Sequence, residues 1–212
     1  MTSTLREQTL PDDRSRQRRQ ALVVLILGLA LAAVAVILAL QSKSAVSPPT
    51  DLVMGQDTFP VASLAGIDNA NALPEPGHPA PNFAFRLPDG SSVTLADYRG
   101  QPVLINFWAS WCGPCRLEMP ELVKAYETHK DDGLVVLEVN VAESNETVAA
   151  FVAEFNMTMP VIIDARQEVM ALYKTQSLPS SFFVDRDGIV QRRWIGFLDS
   201  QILEENLATI LG

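Results

Sequence analysis

Cys112 and Cys115 stand in the stretch Trp111-Cys112-Gly113-Pro114-Cys115-Arg116 and are the only cysteines in a chain of 212 residues. Any disulfide within the chain therefore joins these two. Spacing of this kind places two sulfurs one helical turn apart when the segment opens a helix. The unpaired N–H groups and positive dipole end of a helix start stabilise a thiolate there. The thiolate is the nucleophile of disulfide exchange. The pattern predicts a dithiol that cycles between reduced and oxidised forms. Cys112, nearer the helix start, is the expected attacking thiol, with its pKa moved downward. Cys115, on the same helix face, would resolve the mixed disulfide.

The residues around the pair supply the elements it needs. Pro102 to Trp108 is an apolar run that reads as a buried central strand, and the helical pattern opens near Gly113 and extends to about His129. Leu117, Leu122, Val123 and Tyr126 give that helix an apolar stripe, and Pro120 predicts a kink. Leu134 to Val139 reads as a second apolar strand, followed by a helix that Asn145 can cap. Pro160 to Ile163 and Glu168 to Tyr173 read as a short strand and a short helix. Two hairpins are signalled, one by Asn82 to Leu87 and Ser91 to Leu95 around Pro88-Asp89-Gly90, the other by Ser181 to Asp185 and Ile189 to Ile195 around Arg186-Asp187-Gly188. Asp199 caps a final helix. Strand–helix alternation ending in a hairpin predicts an α/β fold, a mixed sheet with helices on both faces and an N-terminal β-hairpin.

Four segments follow from composition. Residues 1–20 are polar and carry Arg14, Arg16, Arg18 and Arg19. Ala21 to Leu40 is an uncharged apolar run of 20 residues, which as a helix spans about 30 Å, the thickness of the hydrocarbon core of a membrane. A cleaved signal peptide has a shorter apolar region and a clearer small-residue site, so the run reads as an uncleaved transmembrane anchor. The arginines before it place the N-terminus in the cytoplasm and the rest outside. Residues 41–77, rich in Ser, Ala and Pro, read as a flexible linker, and 78–212 as the folded domain. A formal charge of −9 argues against nucleic acid as a partner.

Phe107 to Arg116, with Glu118 and Pro120, resembles the active-site segment of the thioredoxin fold. The match is closest to the TlpA/ResA-like membrane-anchored thioredoxins, which carry a redoxin domain related to AhpC/TSA. Pro81-Asn82-Phe83 with Asp89-Gly90, the Leu178-Pro179-Ser180 loop and the Asp185-Arg186-Asp187-Gly188 turn extend the resemblance over about residues 78–212. It implies a thiol–disulfide oxidoreductase without a cofactor and a cis bond before Pro179. The Leu178 backbone would then be open to an extended peptide by strand addition. Trp111, Gly113, Pro114, Leu178 and Pro179 are the candidates for substrate contact, Trp111 as an exposed rim, while Trp108 belongs to the core. Gly113-Pro114 is the dipeptide of reducing thioredoxins. Glu118 takes the place of a glutamate implicated in tuning the cysteines and accepting a proton; a nearby carboxylate should disfavour a thiolate. Cytoplasmic thioredoxins have an aspartate where this chain has Asn106, which has no proton to exchange.

The implied role is an extracytoplasmic reductant of protein disulfides, apocytochrome c among them, fed by a membrane thiol electron donor. Two alternatives stay beside it. A peroxidase of the peroxiredoxin type would need Pro and Thr where this chain has Ile105 and Ala109. A metal-delivery module would need a histidine near the sulfurs, but His78 lies near the linker and His129 about 20 Å along the helix.

Overall fold

A computed structural model describes residues 58–69, 72–87 and 90–212. The predicted cytoplasmic segment, the apolar run 21–40 and the first part of the predicted linker lie outside the described residues. Among the described residues no helix is long and apolar enough to cross a membrane.

Eight strands form one mixed sheet: β1 (Val61–Ser63), β2 (Ala84–Arg86), β3 (Ser92–Thr94), β4 (Val103–Trp108), β5 (Val135–Val141), β6 (Val161–Asp164), β7 (Ser180–Val184) and β8 (Val190–Ile195). Their order is β3-β2-β1-β6-β5-β4-β7-β8. β4, β5, β6 and β1 run parallel, while β7 and β8 on one side and β2 and β3 on the other pair antiparallel. The helices are α1 (Gly113–His129), α2 (Asn145–Phe155), α3 (Glu168–Leu172) and α4 (Ser200–Leu211).

All residues of β4 and β5 are buried, as expected of central parallel strands covered on both faces. Alternate residues divide between two apolar layers. Leu104, Trp108, Val136, Val161 and Phe183 pack beneath α1, α2 and α4. Val103, Ile105, Phe107, Leu137 and Phe182 pack on the other face with Val169 of α3, Tyr173, and the 3-10 turn Leu95–Tyr98. The expected mixed sheet with helices on both faces is present.

Three sequence expectations are corrected. The 41–77 segment is not a tether throughout. β1 lies within it, between β2 and β6, and Ile163 donates its N–H to the Pro60 carbonyl at 2.8 Å. Phe59 and Ala62 are buried, so this short strand is held by burial and neighbours where Ser, Ala and Pro had suggested a tether. The buried stripe of α1 is Cys115, Glu118, Met119, Leu122, Ala125 and Tyr126, whereas Leu117 is 70% exposed on the opposite side. The helix keeps its expected limits, Gly113 to His129, with Pro120 inside it, whose missing N–H leaves the Arg116 carbonyl without its usual partner. Ser144, not Asn145, caps α2 by accepting the Thr147 N–H, and the Asn145 side chain instead accepts the Phe59 N–H at 2.8 Å.

The predicted turn at Pro88-Asp89 lies outside the described residues. Its flanking strands are β2 and β3. The second hairpin turns at Gly188, whose φ of +72° is the left-handed conformation that glycine adopts without a Cβ penalty. Asp199 caps α4, accepting the Ile202 N–H at 2.8 Å.

Candidate active site

β4 delivers the chain to the site. Its last residue, Trp108, is fully buried against Phe151 of α2, with ring centroids 4.3 Å apart. The chain then turns through Ala109 to Trp111, and α1 begins. Cys112 is the N-cap of α1 and Pro114 lies in its first turn, where the absent N–H costs nothing. Cys112 and Cys115 are joined in a disulfide with Cα atoms 5.3 Å apart. The Cys115 N–H donates to Cys112 Sγ at 3.3 Å. Cys112 is 5% exposed and Cys115 not at all, so an incoming partner reaches Cys112 first. The helix-start N–H on that sulfur is the interaction that favours a thiolate once the disulfide opens.

The turn before Cys112 is fixed by a carboxylate. Glu143 Oε2 accepts the Ser110 N–H at 2.7 Å and Oε1 accepts the Ser110 hydroxyl at 2.5 Å. Asn140, on β5, donates its amide to Glu143 Oε2 at 2.7 Å. Arg116 reaches the Ser110 carbonyl, pairs with Glu154, and lies over the rings of Phe151 and Phe155. The sulfur-bearing loop is thereby anchored to β5 and α2. Sequence reading did not single out Ser110, Asn140 or Glu143.

Behind the disulfide the site is polar and buried. Glu118, one turn beyond Cys115, is fully buried. Its Oε1 accepts the Asn106 amide at 2.9 Å and its Oε2 accepts the Leu198 N–H at 2.8 Å. Burial pushes its pKa up to about 7, and the two hydrogen bonds oppose the rise. The same Asn106 amide nitrogen donates to Ser181 Oγ at 2.9 Å. Asn106, Ser181 and Glu138 are register partners on β4, β7 and β5, so they form one polar row across the sheet. Glu138 is also fully buried, and its carboxyl is held well above its ordinary pKa by burial and then by the Glu118 charge. Reading Leu134 to Val139 as simply apolar passed over this residue; a lone acid inside an otherwise apolar strand was the available signal.

The Leu178–Pro179 bond is cis, and Leu178 packs against the apolar cluster that contains Cys112 and Cys115. The loop is tied by Ser180 Oγ, which donates to the Ser177 carbonyl at 2.7 Å and meets Thr175 Oγ1 at 2.6 Å. Sheet pairing between β7 and β4 starts at Ser180, so Leu178 lies outside it. Trp111, Met170, Gln176, Ser177 and Leu178 line an open groove beside the disulfide. Trp111 is 72% exposed. The structure therefore brings Trp111, Cys112, Gly113, Pro114, Cys115, Glu118, Leu178 and Pro179 to one end of the sheet. His129 is elsewhere, near Glu204 of α4 at 3.2 Å, and His78 is an exposed residue close to the Pro76 carbonyl.

A dithiol at a helix start, with a buried acid of near-neutral proton affinity behind it, is chemically suited to two-electron exchange with another disulfide. Known proteins agree. The model of the AhpC/TSA family matches residues 76–193. The chain is 36% identical over 134 residues to thiol-disulfide oxidoreductase ResA of Geobacillus kaustophilus, covering 63% of this chain and 77% of that protein. A thiol:disulfide interchange protein of the thioredoxin family from Chlorobium tepidum superposes with a TM-score of 0.58 at 26% identity, covering 65% of this chain and 98% of that one. StoA from Bacillus subtilis superposes at 0.52 with 28% identity, over 62% and 98% of the two chains.

Proposed function

Because the chain belongs to the AhpC/TSA family and is a ResA-like thiol–disulfide oxidoreductase of the thioredoxin fold, we propose that it works outside the cytoplasm as a membrane-tethered reductant of protein disulfides. The observation that carries the reading is the Cys112–Cys115 pair at the start of α1, with Glu118 buried one turn behind it. The apolar run 21–40 and the arginines before it support the tether and its orientation. Gly113-Pro114 supports the reducing direction. Oxidised apocytochrome c, with its Cys-x-x-Cys-His site, is the substrate we assign, and a membrane thiol carrier is the donor.

In this reading Cys112 thiolate attacks one sulfur of the substrate disulfide, forming a mixed disulfide and releasing the other sulfur as a thiolate. Cys115 then loses its proton to Glu118 and attacks Cys112 Sγ. The enzyme disulfide closes and the second substrate thiolate leaves. Two electrons pass to the substrate, whose thiolates take up two protons, one of them the proton Glu118 accepted. The extended substrate lies against Trp111 and Leu178 in the groove. Ile105 and Ala109, buried apolar residues at the positions where a peroxiredoxin has Pro and Thr, give a peroxide no polar donor.

Cys115→Ser tests this. The full chain carrying it should accumulate mixed disulfides through Cys112, and mass spectrometry should find partners joined through Cys-x-x-Cys sites, with apocytochrome c among them. If the double variant lacking both cysteines captures the same proteins, or Cys115→Ser captures none, the reading fails. Protease protection in sealed vesicles tests the location: the domain should be cut only when the outer face is accessible.

A further inference from the structure

Glu138 has no task in the exchange cycle described above, yet it is a carboxyl placed at the centre of the sheet. It is 0% exposed, and among the described residues neither of its oxygens meets a hydrogen-bond partner. Its register partner on β4 is Asn106, whose Oδ1 is also buried and without a donor. Partners on neighbouring parallel strands direct their side chains to the same face, with backbones about 4.8 Å apart. The other side of the Asn106 amide is fully used, since Nδ2 donates to both Glu118 Oε1 and Ser181 Oγ. One amide thus stands between two buried carboxyls, its NH2 toward one and its oxygen left for the other.

An ionised Glu138 would set a carboxylate beside a carbonyl oxygen, two acceptors with no proton to share. A neutral Glu138 has an O–H, the donor that Asn106 Oδ1 lacks. We infer that Glu138 is a positioning residue: as a carboxylic acid it donates its O–H to Asn106 Oδ1 and so holds the amide with its NH2 turned to Glu118. The inference rests on the exchange reading only for its consequence, which is that the ionised form of Glu118, able to take the Cys115 proton, is favoured by the Asn106 N–H.

The surroundings keep Glu138 neutral. It meets Val161 in register on β6 and Asn106 on β4. The layer above it contributes Cys115, Glu118 and Tyr126 from α1, apolar residues Val148 and Phe151 from α2, and Leu203 and Leu207 from α4. Glu118 is the charge that acts on it, and burial and that charge both favour the protonated form. Among the described residues no lysine or arginine is buried in this layer; Arg116 covers Phe151 and Phe155 and pairs with the exposed Glu154.

Removing the donor at 138 changes what Asn106 requires. With leucine there, Oδ1 is left buried and unpaired unless the amide turns over; the donors on the other side are then the Ser181 hydroxyl and a protonated Glu118, and Glu118 Oε1 loses the N–H that favours its anion. The proton on Glu118 is then held more tightly. Glutamine at 138 supplies an N–H to Oδ1 and preserves the arrangement.

The test is a carbon-13 NMR titration of glutamate carboxyls in the full chain, oxidised and without substrate, for wild type, Glu138→Leu and Glu138→Gln. Wild-type Glu138 should remain protonated through the pH range in which Glu118 ionises. Glu138→Leu should move the Glu118 midpoint up by about one pH unit or more, and Glu138→Gln should leave it at the wild-type value. The pH at which Cys115 of the reduced chain gains reactivity should move in the same sense. A merely space-filling Glu138 predicts superimposed Glu118 curves in all three proteins, and that result overturns the inference. So does a wild-type Glu138 that ionises below pH 7, whether or not the leucine variant folds. Since no substrate is present, loss of the reductase reading leaves this titration unaffected.

Discussion

Replacing Glu118 by glutamine should change how stability depends on pH, with a magnitude that follows from the site. Glu118 is fully buried, and its pKa rises from 4.5 to about 7 on folding. The folded protein therefore binds this proton more tightly than the unfolded chain. Between pH 4.5 and 7 the native state holds more protons, so stability falls as pH rises. Below pH 4.5 both states are protonated and nothing is lost. Above pH 7 the full difference, about 3 kcal/mol, is lost. In Glu118→Gln this loss is absent.

The substitution also disturbs the hydrogen bonds from Asn106 and Leu198, because the amide NH2 must face one N–H donor. That cost, about 1–3 kcal/mol, does not vary with pH and cancels when one protein is compared with itself. The assay is urea unfolding of the oxidised chain at pH 4 and pH 8, followed by fluorescence of Trp108, Trp111 and Trp194, all within the folded domain. Wild type should lose about 3 kcal/mol more than the variant between the two pH values, about 1–3 M in the midpoint difference. Release of Glu138 from the Glu118 charge adds in the same direction. Parallel pH dependences in the two proteins would show that Glu118 is not desolvated as described, and the proton-acceptor reasoning would fall with it.

Other substitutions test other parts of the frame. Glu143→Ala removes the carboxylate from the Ser110 N–H and hydroxyl; it should cost about 1–3 kcal/mol in urea unfolding and slow turnover of a protein disulfide. Trp111→Ala, at a position 72% exposed, should leave stability within about 0.5 kcal/mol; KM for a protein substrate should rise while reaction with a small dithiol keeps its rate. Asp199→Ala removes the cap of α4 and should lower stability by about 1 kcal/mol, with no effect on exchange rates per folded molecule.

How much was legible in the sequence varied with the range of the interaction concerned. The limits of α1 were readable because Cys112-Gly113-Pro114 is a local helix start, and the β7–β8 hairpin because Asp187-Gly188 is local turn chemistry. The cap at Asp199 was readable for the same reason. β1 was not, since three residues flanked by Pro60 and Leu64 become a strand only when β2 and β6 lie on either side. Leu117 was assigned to the wrong face because hydrophobicity alone does not say that Glu118, an acid, takes the buried position on the next residue. The polar row Glu138–Asn106–Ser181 joins three strands from distant parts of the chain. No local pattern links them, although the single acid in β5 was there to be noticed. Ser144 and Asn145 are both good caps, and the tie from Asn145 to Phe59, which lies in the stretch taken for linker, accounts for which one caps.

The reduction potential of the Cys112–Cys115 couple tests the central claim most directly. Equilibrating the full chain against glutathione mixtures and counting alkylated thiols by mass should show both sulfurs opening and closing together, near the thioredoxin value of about −270 mV. A couple near −120 mV, where strong oxidants lie, would reverse the direction of electron flow argued here, and a disulfide that never opens would contradict the exchange mechanism itself.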